Sequence, residues 1–275
     1  MTPKRIKFGF DPTGSSIHLG RTIPLLHLRE LQDKEDATVI LIVGDFTAKI
    51  GDPSDKLGKR PTLSNEAIEE NIHTSLPLIF KILDEKKTEI RRNSEWLNQT
   101  SIHTIMRLMS AFSIQQMTAR RNFNIRMKNK EPIYMHELLY PILQGYDSYI
   151  VNADAEIGGE DQIFNMNIGR DIQALYGKPQ QEVIVTPLLV GTDGEKMSTS
   201  AGNTININEQ ADIMFNKVMS IRDDVSADYA QLCTKMEVPE VIEDFRAFKI
   251  DLANEICRMY HPQWKTKIPE YRKKI

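Results

Sequence analysis

Tyr140, Gln144 and Asp147 stand at i, i+4 and i+7, on one face of a segment whose pattern predicts a helix over residues 134–147. A phenol, an amide and a carboxylate are expensive to bury without partners. Ile133 and Leu143 lie beside them, so two readings stay open: hydrogen bonding between helices, or a pocket wall that turns polar groups toward a ligand. A second set of chemistry-bearing residues sits near the start. Asp11-Pro12-Thr13-Gly14-Ser15-Ser16 stacks turn residues between an apolar strand over 4–10 and the helical spacing of Ile17, Leu19, Ile23, Leu26 and Leu28. A helix is therefore expected to begin near Ser16, with His18 in its first turn. Such an order aims backbone N–H groups and the positive end of the helix dipole above the strand, which suits an anion. Gly20 would let a flat ligand lie against the backbone. The loop Glu195-Lys196-Met197-Ser198-Thr199-Ser200 supplies a lysine that could close over phosphate-type anions.

Those residues need a scaffold. A chain of 275 residues can bury a substantial core, and 40% apolar with 27% charged residues describes an ordinary globular protein. No apolar run approaches a membrane span and no signal-peptide pattern opens the chain. Cys233 and Cys257 fit neither a zinc knuckle nor a disulfide framework, so a cytoplasmic location is expected. A net charge of −3 argues against holding DNA or any nucleic acid by bulk electrostatics, although residues 120–130 carry five basic side chains and no acid. That run reads as a solvated face or an RNA contact.

Residues 38–43 form a continuous β-branched run ending at Gly44, the mark of a strand buried on both faces. Residues 44–60 are too rich in Gly, Pro and Asp for regular structure and read as a functional loop. Helices are expected over 67–83 and 100–121, the latter with Ile102, Ile105, Met106, Leu108, Met109 and Ile114 on its apolar side. Strands are expected at 88–92, 148–153 and 183–185, and Gly158-Gly159-Glu160-Asp161-Gln162 reads as strand, glycine turn and helix start. Beyond Asn208 the pattern is helical, broken at Pro239. Strands alternating with helices imply an α/β fold with a doubly wound, Rossmann-like parallel sheet whose ligands bind beyond the carboxyl ends of its strands. Neither a G-x-x-x-x-G-K-[ST] loop nor a G-x-G-x-x-G fingerprint is present, which removes support for ordinary kinases, GTPases and dehydrogenases.

Phe10-Asp11-Pro12-Thr13 followed by His18-Leu19-Gly20, with Lys196-Met197-Ser198-Thr199-Ser200 far downstream, resembles the two nucleotide signatures of class I aminoacyl-tRNA synthetases. Residues 44–60, Asn93-Ser94-Glu95-Trp96-Leu97, the segment from Tyr140 to Asp147 and Gly158-Gly159-Glu160-Asp161-Gln162 resemble the bacterial tyrosyl-tRNA synthetases. This resemblance implies tyrosine–tRNA ligase activity with L-tyrosine, ATP carrying Mg²⁺ and tRNA(Tyr) as partners, no dedicated metal site, and a homodimer formed through the region of Ile102 to Ile114. It further implies that His18 and Thr13 stabilise the reacting α-phosphate and that Lys196, Lys56 and Arg60 neutralise the leaving pyrophosphate. Asp11, Gly20, Arg21, Gly159, Asp161, Met197, Ser198 and Thr199 complete the implied ATP site. Thr47, Asp52, Tyr140, Gln144 and Gln162 fall at the ammonium side of tyrosine, while Asn93 and Asp147 fall at its hydroxyl.

Three departures accompany the resemblance. Arg21 replaces the second signature histidine, Thr199 replaces the second signature lysine, and Lys7 stands where many members place a tyrosine against the substrate hydroxyl. The expected organisation is a catalytic domain over 1–205, with a helical insertion about 98–135, and an α-helical segment over 206–275 without the family's usual C-terminal RNA-binding module. A free-standing tyrosine-adenylating enzyme with another acceptor, or a weakly catalytic binding module, are the alternatives.

Overall fold

The computed structural model describes residues 4–52 and 63–265. Five strands, β1 (Arg5–Phe10), β2 (Thr38–Val43), β3 (Thr88–Arg92), β4 (Ala155–Gly159) and β5 (Glu182–Thr186), pair in parallel in the order β3-β2-β1-β4-β5. Successive strands run outward from β1 to β3, and the order then restarts on the other side of β1 with β4. The crevice beyond that reversal is where a doubly wound sheet binds ligands. The apolar run in β2 is buried on both faces, with Val39 to Val43 at most 1% exposed.

The connecting helices are α1 (Leu19–Lys34), α2 (Asn65–Ile79), α3 (Ser94–Leu97), α4 (Ile102–Ser110), α5 (Ile114–Thr118), α6 (Arg121–Lys128), α7 (Met135–Ile150), α8 (Ile163–Leu175), α9 (Ala211–Ser220), α10 (Ser226–Cys233) and α11 (Phe245–Tyr260). The chain divides into two compact units. The first, Met1–Ser15, His27–Leu76 and Leu83–Thr186, contains the entire sheet. Its core joins Ile40 and Ile42 of β2 to Trp96, Leu97 and Leu143, and a neighbouring cluster joins Leu108 and Met117 to Ile142, Ile168 and Ile172. The second unit, Ser16–Leu26, Pro77–Ile82 and Pro187–Ile275, is built largely from α9, α10 and α11. Phe215, Tyr229, Ile250 and Leu252 are buried within it, and Trp264 packs on Phe215 while its indole donates to Asn254 Oδ1 at 2.9 Å.

Three local expectations are corrected. The strand expected over 148–153 does not form: α7 continues to Ile150, the chain turns at Asn152 with φ 48°, and β4 begins at Ala155. Packing overrides the β propensity of that stretch, since Tyr149 stacks on both Tyr146 and Tyr176, with the Tyr146 ring tilted toward Tyr176. The helix expected over 100–121 is split into α4, α5 and the start of α6, because Ser101 and Ser113 each cap a new helix with the side-chain oxygen. Its apolar side also divides: Leu108 is buried, whereas Ile102, Met106 and Ile114 are 70%, 59% and 66% exposed. Finally, the basic run over 120–130 is not wholly a solvated face. Arg126 is buried in a bidentate pair with Glu137 at 2.9 and 3.0 Å, and Arg120 is buried over the rings of Phe123 and Phe164.

α7 and α8 approach closely enough to exclude a side chain. A Cβ on Gly145 would lie 2.9 Å from the backbone nitrogen of Gly169 and 3.1 Å from its Cα. Gly145→Ala gains up to about 1 kcal/mol of helix propensity, but backbone cannot move aside as a flexible side chain can. The substitution is expected to lower stability by a net ~1–3 kcal/mol, read as a fall in the urea midpoint at constant m-value.

Candidate active site

Four strand ends supply the polar groups of the first unit. Asp11 follows β1, Gly44 to Thr47 follow β2, Asn93 follows β3, and Gly159 to Gln162 close β4. Asp11 Oδ1 accepts from Thr47 Oγ1 at 2.7 Å, and its Oδ2 accepts from the Tyr140 hydroxyl at 2.9 Å. Space for that carboxylate exists only because residue 44 is glycine, where a Cβ would sit 1.9 Å from Asp11 Oδ1. Asn93 is clamped from both sides: its Oδ1 accepts from the Phe46 backbone at 3.0 Å, while Nδ2 donates to Thr47 Oγ1 at 3.0 Å and to Asp147 Oδ2 at 3.4 Å. Thr13 donates its backbone N–H to the Asp11 carbonyl at 2.8 Å. The turn containing it is held from α2, where Asn71 Nδ2 donates to the Pro12 carbonyl and Ser75 Oγ to the Gly14 carbonyl.

Helix α7 brings Tyr140, Gln144 and Asp147 to this place, as their spacing requires. Asp147 is 3% exposed and accepts from the Trp96 indole N–H at 2.8 Å as well as from Asn93. Burial drives its carboxyl up to about 7; the charge of Lys7 and hydrogen bonds from Trp96 and Asn93 oppose that rise, and the charge of Glu156 adds to it. Tyr140 is driven well above the usual phenol range, first by burial and then by the carboxylates of Asp11, Asp52 and Asp147. Gln162 Nε2 donates to Asp52 Oδ2 at 2.7 Å, and Arg120 lies 3.9 Å from Asp52 Oδ1. Asp161 and Gly159 flank Gln162 at the end of β4, with Asp161 Oδ2 3.4 Å from Gln162 Nε2. Hydrogen bonds thus join Asp11, Thr47, Asn93, Tyr140 and Asp147 in one network of the first unit and Asp52, Asp161 and Gln162 in a second, to which Asn165 ties Gln144; the charge of Asp52 reaches Tyr140 of the first.

His18, Gly20, Arg21, Lys196, Met197, Ser198 and Thr199 belong to the second unit. His18 is not in the first helical turn as its sequence context suggests. The helix starts at Leu19, and His18 forms an isolated antiparallel bridge with Asn206, fixed by Leu19 N–H to the Ile205 carbonyl at 2.9 Å and Ile207 N–H to the Ile17 carbonyl at 2.8 Å. Pairing with a second chain segment outcompetes the extra turn. Gly20 donates its N–H to Met197 Sδ at 3.4 Å, which joins the histidine segment to the lysine loop, and Arg21 N–H returns to the His18 carbonyl. Thr199 is exposed, and its carbonyl accepts from Gly202 N–H. Lys56 and Arg60 lie outside the described residues.

A family model described as tRNA synthetases class I (W and Y) matches residues 1–263. The chain belongs to that family. It is 41% identical over 263 residues to a tyrosine–tRNA ligase of Nostoc sp., covering 94% of this chain and 66% of the relative. To a tyrosine–tRNA ligase of Burkholderia thailandensis it is 44% identical over 271 residues, covering 95% and 65%. The chain therefore spans just under two thirds of the length of these relatives. Among solved structures, the tyrosyl-tRNA synthetase of Archaeoglobus fulgidus, complexed with L-tyrosine, superposes with a TM-score of 0.74 at 21% identity, covering 94% of this chain and 89% of that one.

Several residues that organise these sites carry no signal in spacing. Trp96 is an apolar residue by type, yet its indole N–H holds Asp147. Asn203 is a second case. Its Oδ1 accepts from Ser198 N–H at 2.8 Å, its Nδ2 donates to Asp193 Oδ1 at 2.7 Å and to the Lys196 carbonyl at 3.0 Å, and its own carbonyl accepts from Thr192. A Cβ on Gly191 would lie 2.5 Å from that amide, so the loop and Asn203 are fitted to each other.

Asp147 gives the synthetase fold a pH signature. Its folded value of about 7 lies above the unfolded carboxyl range, so the folded chain holds an extra proton between the two. Its contribution to stability is complete below about pH 4 and disappears as pH rises through about 7. Asp147→Asn cannot titrate, so urea midpoints measured across that interval are expected to fall with pH in the wild type and to change less in the variant.

Proposed function

We propose that the protein joins L-tyrosine to ATP, forming tyrosyl-AMP and pyrophosphate, and then transfers the tyrosyl group to tRNA(Tyr). The observation that carries this reading is the buried Asp147 carboxylate, held by Trp96 and Asn93 on the helix face that also bears Tyr140 and Gln144. Two fixed donors leave the carboxylate able to accept a third, and a phenolic O–H is the donor that distinguishes tyrosine from phenylalanine. Phenylalanine would leave a buried carboxylate underbonded, a large penalty for a charged group. Asp52, Gln144, Gln162 and the Tyr140 oxygen supply acceptors for the α-ammonium. Their joint presence favours an amino acid over a neutral phenol.

In the chemical step a tyrosine carboxylate oxygen attacks the α-phosphorus, the bond from that phosphorus to the bridging oxygen breaks, and pyrophosphate leaves. His18 and Thr13 act on the α-phosphate charge, Asp161 on ribose hydroxyls, and Gly20 and Gly159 on adenosine. Lys196, with Met197, Ser198, Thr199, Lys56 and Arg60, follows the departing pyrophosphate. No residue forms a covalent intermediate; the gain comes from position and electrostatics. Mg²⁺ arrives on the ATP phosphates, and among the described residues no group of three His, Cys, Asp or Glu side chains could hold a metal ion. A tRNA terminal hydroxyl then attacks the activated carbonyl and AMP leaves.

The proposed assembly is a homodimer joined through Ile102, Met106 and Ile114, whose exposure on α4 and α5 is otherwise unfavourable. The proposed compartment is the cytoplasm, consistent with the buried free thiols of Cys233 and Cys257. No described helix is long and apolar enough to cross a membrane.

Tyrosine-dependent exchange of pyrophosphate into ATP tests the first half-reaction. Wild-type protein is expected to catalyse it, Lys196→Ala to lose roughly 10²–10³ in kcat with little change in tyrosine affinity, and Asp147→Ala to lose tyrosine binding. Absence of exchange overturns the reading. Exchange without charging of a tRNA(Tyr) transcript would assign the activated tyrosine to another acceptor.

A further inference from the structure

Lys7 is entirely buried, on β1, and its β4 neighbour in the parallel register is Glu156, 1% exposed. The two side chains pair at 2.9 Å. The Lys7 ammonium also donates to the Gln144 carbonyl and to Ser148 Oγ, both at 2.7 Å, so it is tied to α7 on either side of Asp147. At this position the side chain is committed to the interior and does not offer the phenol that many relatives carry there. Glu156 has the wider reach. Its Oε2 accepts from Gln181 Nε2 at 2.6 Å and Ser148 Oγ at 3.1 Å, while Oε1 accepts from Gln144 Nε2 at 3.1 Å.

From Gln144 a line of carboxamides runs outward. Asn165 Nδ2 donates to Gln144 Oε1 and to Gln162 Oε1, each at 2.9 Å, and Gln162 Nε2 donates to Asp52 Oδ2 at 2.7 Å. A carboxamide can ordinarily turn over, but a carboxylate only accepts. With Glu156 at one end and Asp52 at the other, Gln144 must present nitrogen to Glu156 and oxygen to Asn165. Asn165 must then donate twice, and Gln162 must present its oxygen inward and its nitrogen to Asp52. The direction holds even though it leaves Asn165 Oδ1 buried with no hydrogen-bond partner among the described residues.

We propose that the Lys7–Glu156 ion pair and Asn165 are positioning residues that fix the direction of this carboxamide line, so that Gln144 and Gln162 turn carbonyl oxygens toward the ammonium of a bound amino acid. Each of those oxygens has a second lone pair beyond the one taken by Asn165. Reversed, the same side chains would meet an ammonium with N–H groups. The inference rests on the tyrosine site proposed above and adds what makes that site selective for an amine.

Lys7→Met together with Glu156→Gln tests it without stranding a buried charge. Gln181 and Ser148 still donate at the Oε2 position, and Gln181 is itself fixed by a second donation to the Met166 carbonyl, so the new glutamine must place its oxygen there and its nitrogen toward Gln144. Gln144 is thereby turned over. Calorimetric titration of the full chain with L-tyrosine and with 4-hydroxyphenylpropionate, which lacks the amine, reads the consequence. The double variant is expected to lose about tenfold of its preference for L-tyrosine, with 4-hydroxyphenylpropionate bound as before. Asn165→Ala, which cuts the line without changing a charge, is expected to lose about threefold of the same preference and covers the case in which the double variant fails to fold. Equal weakening of both ligands, or an unchanged preference in a folded variant, overturns the proposal. A wild-type protein that binds neither ligand overturns the tyrosine site itself.

Discussion

A carboxylate taken out of water governs the first unit. Asp147 sits where α7 meets the ends of β2 and β3, and a charge so placed is tolerated only with donors around it. Those donors set the identities of Trp96 and Asn93, and Asn93 in turn needs Thr47 and the Phe46 backbone to hold its amide. Thr47 leans on Asp11, Asp11 accepts from Tyr140, and Gly44 is kept bare to make room for the contact. Each partner is itself a polar group that burial would penalise if left alone, so the network is satisfied as a whole or not at all.

Much of this framework is visible in the amino-acid pattern. The β2 run announces itself because a parallel strand buried on both faces has no reason to alternate, and the half-buried edge strand β3 keeps the expected bounds of 88–92. Tyr140, Gln144 and Asp147 share a face because helical spacing dictates it, wherever the helix ends. What the pattern hides has physical causes. The end of α7 depends on Tyr149, which stacks on Tyr176, a residue distant in sequence. His18 lies outside the helix because of a strand-like bridge to Asn206, equally remote. The basic stretch reads as surface because composition carries no information about Glu137 or Phe164, which draw Arg126 and Arg120 inward. Lys7 and Glu156 are the extreme case. Each alone suggests solvent, and only the strand register shows them to be neighbours in the interior.

The family membership of the chain and its parallel sheet are established on grounds separate from these side-chain details, and the details refine what membership suggests. Position 7 illustrates the difference. A motif comparison registers a missing phenol there, whereas the coordinates reveal a lysine recruited into the scaffold behind the polar network. A departure from a family pattern can therefore mark a change of duty at that position rather than decay.

Asn203 gathers four attachments from the Lys196 loop into one residue. Because Ser198, Lys196, Asp193 and Thr192 are all moored to it, the loop cannot peel away one contact at a time. A change at this one amide would therefore disturb all four moorings together, leaving the Met197 contacts with Gly20 and Leu189 to hold the segment.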